Sequence, residues 1–158
     1  MIYVFDTSSL RELFRHFYQS RFPTLWELFN ILVNEGQILS VREVLNEVKS
    51  KQGEHDLIYT WAQSNRKLFL TPTEDEIGYV KKIMNHNHFK HIIPRKSILS
   101  GKPVADPFLA AKAKSLNGIL ITQELLKPNG AKLPNVCDYL EAQWTNLEGF
   151  MEKEDWLF

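Results

Sequence analysis

Residues 2–10 read IYVFDTSSL. Four apolar residues, Ile2 to Phe5, run into a carboxylate, Asp6, and then into the hydroxyls of Thr7, Ser8 and Ser9. A short apolar run rich in β-branched and aromatic residues reads as a buried strand. A carboxylate at the end of such a strand is costly unless something pairs with it. Capping a helix that starts near Ser8 is one use for Asp6. Facing other polar groups at the sheet rim is the other.

Beyond this strand the chain alternates between helix and strand signals. SSLRE offers a capping box, Ser9 to Glu12, opening a helix to about Tyr18. PTLWELFNILVNEG offers a second box, Thr24 to Glu27, and a helix that stops at Gly36. QILS reads as a short strand, and VREVLNEVKSK as a helix with Val41, Val44, Leu45 and Val48 on one face. HDLIYTWAQSN is helical behind Asp56 as N-cap, LFL is a small strand, and a third box runs from Thr73 to Glu76. A basic loop with Pro94 and Gly101 leads to the helix DPFLAAKAKSLN and the strand GILIT, and short pieces close the chain. Strands alternating with helices imply a parallel sheet wrapped by helices. The expectation is one α/β domain over residues 1–158, a three-layer α/β/α sandwich with a central, mainly parallel sheet.

Composition bounds the class. The chain has 158 residues, 44% hydrophobic and 24% charged, which is ordinary for a soluble globular domain. No apolar window approaches a membrane span, and the N-terminus lacks a signal-peptide pattern. The single cysteine, Cys137, excludes an internal disulfide and reads as a small core residue. A reducing, cytoplasmic setting is the expectation. The net charge is zero, with 19 basic and 19 acidic residues, but the charges are unevenly placed. Ile77 to Ala105 contains no acid and carries Lys81, Lys82, Lys90, Arg95, Lys96 and Lys102, with His86, His88 and His91. The stretch after Val136 is acidic. The basic stretch reads either as a solvated face or as the seat of an anionic partner.

In open parallel sheets, sites form beyond the carboxyl ends of the strands, near a switch in strand order. Asp6 ends the first strand, and Glu124 lies just past Thr122 at the end of GILIT. Asp106 opens a helix after KPVA, and Glu47 sits in the helix after QILS. Each has a plain structural reading. Asp106 before Pro107 is a standard helix start, Glu47 and Glu43 are ordinary helical acids, and Glu124 an ordinary loop acid.

As an ordered set these motifs resemble the PIN-domain nuclease family, which includes VapC-type toxins and uncharacterised relatives. YVFDTSSL is similar to the family's opening strand with Asp-Thr-Ser, and ILSVREVLNEV to its strand followed by a Glu-bearing helix. VADPFLAAKAKSLNGILIT is similar to its Asp-opened helix, glycine, strand and threonine. TQE stands where the family usually has Thr, any residue and Asp, so Glu124 departs from the pattern. The resemblance covers nearly the whole chain. It implies Asp6, Glu47 (with Glu43 in reserve), Asp106 and Glu124 as catalytic metal ligands, supported by Thr7, Ser8 and Thr122.

The chemistry suits that assignment. Clustered carboxylates repel one another and hold protons unless a cation neutralises them. Mg²⁺ or Mn²⁺ is the hard, oxygen-seeking choice, and there is no Cys/His set for zinc. The implied activity is metal-dependent hydrolysis of phosphodiesters, with RNA as substrate and DNA as an alternative. The basic segment, from Lys81 to Lys102, would hold the backbone. Trp61, Phe89 and Tyr79 offer stacking faces, although Trp61 reads better as core. A phosphatase that forms an aspartyl-phosphate would need a second Asp where this chain has Ser8. The other alternative is a catalytically weak PIN-like module that binds nucleic acid or protein. Relatives of this type imply an antitoxin partner and a homodimer. The apolar residues of FMEKEDWLF either join that dimer or fold back on the core.

Overall fold

In a computed structural model, residues 1–50, 56–90 and 104–158 are described. The first strand, β1, spans Tyr3–Phe5, and helix α1 follows at once over Thr7–His16. Helix α2 (Pro23–Asn34) leads to β2 (Ile38–Val41), then to α3 (Arg42–Ser50) and α4 (Leu57–Ser64). A 3-10 turn at Arg66–Leu68 enters β3 (Phe69–Leu70), followed by α5 (Glu74–Asn85). After α6 (Asp106–Ser115) come β4 (Ile119–Ile121), α7 (Leu133–Leu140), β5 (Gln143–Thr145) and α8 (Leu147–Lys153).

The five strands lie side by side in the order β3-β2-β1-β4-β5, and each neighbouring pair is parallel. The chain therefore builds outward from β1 to β3 on one side. It then crosses back, through α5 and α6, to lay β4 and β5 on the other. The strand order reverses between β1 and β4. Because Phe5 pairs with Ile121, the next residues, Asp6 and Thr122, stand at the same level on that rim. The Asp6 amide continues the ladder by donating to the Ile121 carbonyl at 3.0 Å.

Pleating sends Tyr3 and Phe5 to one face of the sheet. There they meet Phe150 of α8 edge-on, with ring centroids 4.8 and 5.2 Å away, and Phe5 also meets Phe29 of α2 at 5.6 Å. Phe14 of α1, Trp26 and Trp61 extend this aromatic layer. Each fully buried aromatic contributes about 2–3 kcal/mol over exposure, so the layer is a large share of the core's stabilisation. On the opposite face α6 lies against β1, β2 and β4, flanked by α5 and α7. Its small Ala110 and Ala113 let it approach the sheet closely. The result is the α/β/α sandwich around a parallel sheet that the sequence implies. Among the described residues, no helix is long and apolar enough to cross a membrane.

Local signals succeed or fail for identifiable reasons. The box at Thr73 forms in both directions, with Glu76 N donating to Thr73 Oγ1 and Thr73 N to Glu76 Oε2, each at 3.3 Å. Asp56 caps α4, and Gly36 follows α2 with φ of +71°, where its missing Cβ removes the steric cost. The boxes expected at Ser9–Glu12 and Thr24–Glu27 do not form. Helix α1 begins directly after β1, so Ser9 is already helical, and among the described residues its buried Oγ has no hydrogen-bond partner. Helix α2 begins at Pro23, whose ring presets the helical φ, so Thr24 is also inside.

Part of the tail folds back on the core. Phe150 is buried, and Trp156 meets it edge-on with ring centroids 5.1 Å apart. The Tyr3 hydroxyl donates to Glu154, tying the end of the chain to β1. Leu157 and Phe158 remain exposed. Cys137 is a buried core residue.

Candidate functional site

Asp6 is buried at the end of β1, and among the described residues both of its side-chain hydrogen bonds fall on Oδ2. Ser8 Oγ donates at 2.6 Å and Thr122 Oγ1 at 2.9 Å. Asp6 occupies the N-cap position of α1, yet its side chain makes no capping bond. The positional half of the capping reading holds and the energetic half does not. Its carboxylate faces the rim.

The hydroxyls form a relay between elements. Thr122 Oγ1 also accepts from the Glu124 amide at 3.2 Å, and Ser8 Oγ accepts from the Gln123 amide at 3.0 Å. These bonds lock the start of α1 to the segment leaving β4. On the other side of Asp6, Thr7 Oγ1 donates to Glu47 Oε2 at 2.7 Å, joining α1 to α3. Thr7, Ser8 and Thr122 thus each orient a carboxylate or its backbone.

Asp106 sits at the first position of α6, half-buried, while Ala105 holds the cap position without a side-chain bond. Burial pushes the Asp106 carboxyl up to about 8, and the charges of Asp6, Glu124 and Glu47 push it the same way. Lys132, at the cap position of α7, pulls it back. Asp6 is raised chiefly by burial. The Ser8 and Thr122 hydrogen bonds oppose that, and the Glu124 and Glu47 charges add to it. Even the buried Cys137 thiol is raised, by burial first and then by Asp138, Asp106 and Asp6. Glu47 and Glu124, from two further segments, therefore bring their charges within range of both Asp6 and Asp106 at the switch in strand order.

Two acids need separate comment. Glu43, the alternative on α3, is buried elsewhere, with Arg42 Nη2 3.1 Å from its Oε1 and its Oε2 unpaired among the described residues. Its charge is not among those acting on Asp6 or Asp106. Glu124 Oε2 accepts from the Leu133 amide at 2.8 Å, so this longer side chain also anchors the first turn of α7.

The donor set is all oxygen: carboxylates with nearby hydroxyls. That composition suits a hard divalent cation such as Mg²⁺ or Mn²⁺ and not zinc. Among the described residues, no three His, Cys, Asp or Glu side chains form a ready-made ion cage. The raised carboxyls still fit the group, because acids that repel and hold protons gain most from a cation among them.

The basic stretch is only partly in view. Lys81, Lys82 and Lys90 are exposed, and Lys82 Nζ lies 5.4 Å over the Tyr139 ring of α7. Arg95, Lys96, Lys102 and His91 lie outside the described residues. Of the three candidate stacking faces, Phe89 is buried against His86 and Tyr139, and Trp61 packs in the aromatic layer. Phe89 offers no free ring, while Trp61 and Tyr79 are each half-buried, Trp61 against the aromatic layer. Sequence reading missed Lys132. The turn signal KPNGAK, beginning three residues after Glu124, was the available clue that the chain folds this lysine back toward the acids.

The chain matches, over residues 3–158, the family described as Domain of unknown function (DUF4411), and it belongs to that family. Among solved structures it is similar to VapBC2 from Rickettsia felis, in a crystal structure bound to a DNA fragment from their promoter. The identity is 16% and the TM-score 0.48, with 92% of this chain and 98% of that chain covered. Comparison with curated proteins gives no match.

Proposed function

We propose that this member of the DUF4411 family is a PIN-like, metal-dependent endoribonuclease that hydrolyses phosphodiester bonds. The observation that carries the reading is the arrangement at the switch point, where Ser8 and Thr122 hold Asp6 at the end of β1 and the charges of Glu47 and Glu124 reach both Asp6 and Asp106. Such a cluster has no structural use that apolar residues would not serve better, and perturbed acids in one place mark functional sites. Bound there, Mg²⁺ or Mn²⁺ would make water a usable nucleophile near neutral pH and offset the charge that develops on the phosphate.

The chain's own residues then have distinct tasks. Asp6, buried, and Asp106, half-buried, supply on losing their protons the negative charge that selects a divalent cation. Ser8 and Thr122 hold Asp6 in one orientation, and Thr7 does the same for Glu47. Glu124 has one oxygen committed to α7 and one for the site. The exposed lysines on and after α5 give the phosphate backbone a counter-charge that the acids cannot. The same reading extends to a toxin of a toxin–antitoxin pair, with an antitoxin partner, and to self-association through the exposed Leu157 and Phe158.

A second reading, a PIN-like binding module without catalysis, draws on the commitment of Glu124 Oε2 to Leu133. One assay separates the two. Purified protein is incubated with total RNA in Mn²⁺, in Mg²⁺ and in chelator. The nuclease reading expects discrete cleavage products that vanish with chelator. Retention of RNA without cleavage in either metal would favour the binding module.

A further inference from the structure

The segment that leaves β4 does more than deliver Glu124. Leu125 is 79% exposed and Leu126 46% exposed, two large apolar side chains in water one after the other. With Pro128, Lys127 and Lys132 they line a cavity whose wall also includes Glu124. The cavity therefore adjoins the acidic site and combines an apolar floor with two ammonium groups. Apolar side chains held in solvent beside a charged cleft mark a place where a ligand covers them.

This cavity is held in shape. The Asn135 side chain, in the first turn of α7, donates from Nδ2 to the Lys127 carbonyl at 2.9 Å and accepts at Oδ1 from the Lys132 amide at 3.2 Å. One amide thus fixes both ends of the turn that carries the lysines. Within it Asn129 adopts a left-handed φ of +55°, and the Gly130 amide donates to the Lys127 carbonyl at 2.8 Å. A Cβ on Gly130 would come within 2.7 Å of the Lys127 Cβ, so glycine is required for this closure. His88, just beyond α5, bonds through Nε2 to the Gly130 carbonyl at 2.8 Å. Among the described residues neither Lys127 nor Lys132 enters an ion pair, so both charges are available. Lys132 also acts on Asp106, which places its charge on the acidic side of the turn.

We propose that this cavity is a nucleotide subsite, seating the residue of single-stranded RNA next to the scissile phosphate. Lys127 and Lys132 hold its phosphate, and its base lies against Leu125, Leu126 and Pro128. The assignment rests on the nuclease reading above and names residues that the basic segment does not contain. Charge decides the ligand class. Clustered carboxylates repel a phosphate, and the lysines that share a cavity wall with Glu124 offset that repulsion. The apolar floor decides the strandedness, because a base can lie on a protein wall only when it is not stacked within a duplex.

The test uses a fluorescein-labelled single-stranded RNA oligonucleotide of mixed sequence. Binding is followed by anisotropy in chelator across a salt series, and cleavage in Mn²⁺. Lys127→Gln combined with Lys132→Gln should weaken binding roughly tenfold and flatten the salt slope by about 0.7 per lysine. The double change should raise KM for cleavage more than it lowers kcat. Leu125→Ser with Leu126→Ser should weaken binding with the salt slope unchanged, since it removes contact and not charge. All four side chains are exposed, so thermal unfolding of both variants should match the parent protein. If the parent binds and cuts RNA while the lysine variant does so with the same slope and KM, the subsite is wrong and the nuclease reading stands. If the parent neither binds nor cuts, both fall together.

Discussion

Asp6→Asn is expected to lower metal-dependent cleavage by roughly two to three orders of magnitude, with the fold intact. Asn keeps the shape of the side chain, and its carbonyl oxygen can still accept the Ser8 and Thr122 hydroxyls. Helix α1 does not depend on an Asp6 capping bond, because none is made. Removing a buried charge that burial and two neighbouring acids already disfavour should leave the metal-free protein at least as stable. Single-turnover cleavage and thermal melts of the two proteins check both halves. Undiminished Mn²⁺-dependent cleavage would remove Asp6 from the site, and a variant that fails to fold would make it a structural residue. Asp106→Asn should behave alike, since Ala105 and not Asp106 occupies the cap position of α6. Glu124→Gln should cost less, because part of that side chain's work is to hold the Leu133 amide.

The second large effect lies away from the site. Lys112 of α6 and Glu76 of α5 form a buried ion pair at 2.8 Å, each side chain almost wholly out of water. Ser115 Oγ donates to the same Glu76 oxygen at 3.1 Å, and Glu76 Oε2 closes the capping box on Thr73. The pair locks α5 to α6, and α6 begins with Asp106. Lys112→Met leaves a buried carboxylate without its counter-ion and should destabilise by about 3–5 kcal/mol. Adding Glu76→Gln to Lys112→Met should recover part of the loss, since the orphaned charge is gone while the capping geometry is kept. Urea unfolding of the parent, the single and the double variant measures this. A single variant as stable as the parent would mean that Glu76 stays solvated, contrary to its burial.

The contrast between these two regions says what a sequence can carry. The parallel sheet was legible because VFD, ILS and ILIT are short apolar runs separated by helical periodicity, a pattern each segment holds on its own. The capping box at Thr73 was legible for the same reason. The boxes at Ser9 and Thr24 misled, because a strand that ends at Phe5 and a proline at position 23 set those helix starts first. Strand β5 and helix α7 went unread as elements. QWT is three residues long and exposed or half-buried, and it becomes a strand only by pairing with β4. The ion pair of Glu76 with Lys112 joins residues far apart in sequence, and no local pattern announces it. At the candidate site, Asp6, Asp106 and Glu124 could be named from their places at strand ends and a helix start, whereas Glu47 was preferred to Glu43 only through the family resemblance. Their hydroxyl partners across α1, β4 and α3, the second duty of Glu124 and the folding back of Lys132 depend on tertiary contact.

The claim on which the account turns is that Asp6, Glu47, Asp106 and Glu124 share one divalent cation. Calorimetric titration of Mn²⁺ into the metal-free protein near neutral pH, repeated in buffers of different ionisation heat, measures it directly. Burial and the neighbouring acids push the Asp106 carboxyl up to about 8, which favours its protonated form near neutrality, so a cation binding there displaces that proton. The account predicts saturable Mn²⁺ binding accompanied by release of about one proton, with Asp106→Asn losing most of the affinity and the proton release together. No saturable binding, or binding with unchanged affinity and proton count in Asp106→Asn, would contradict it.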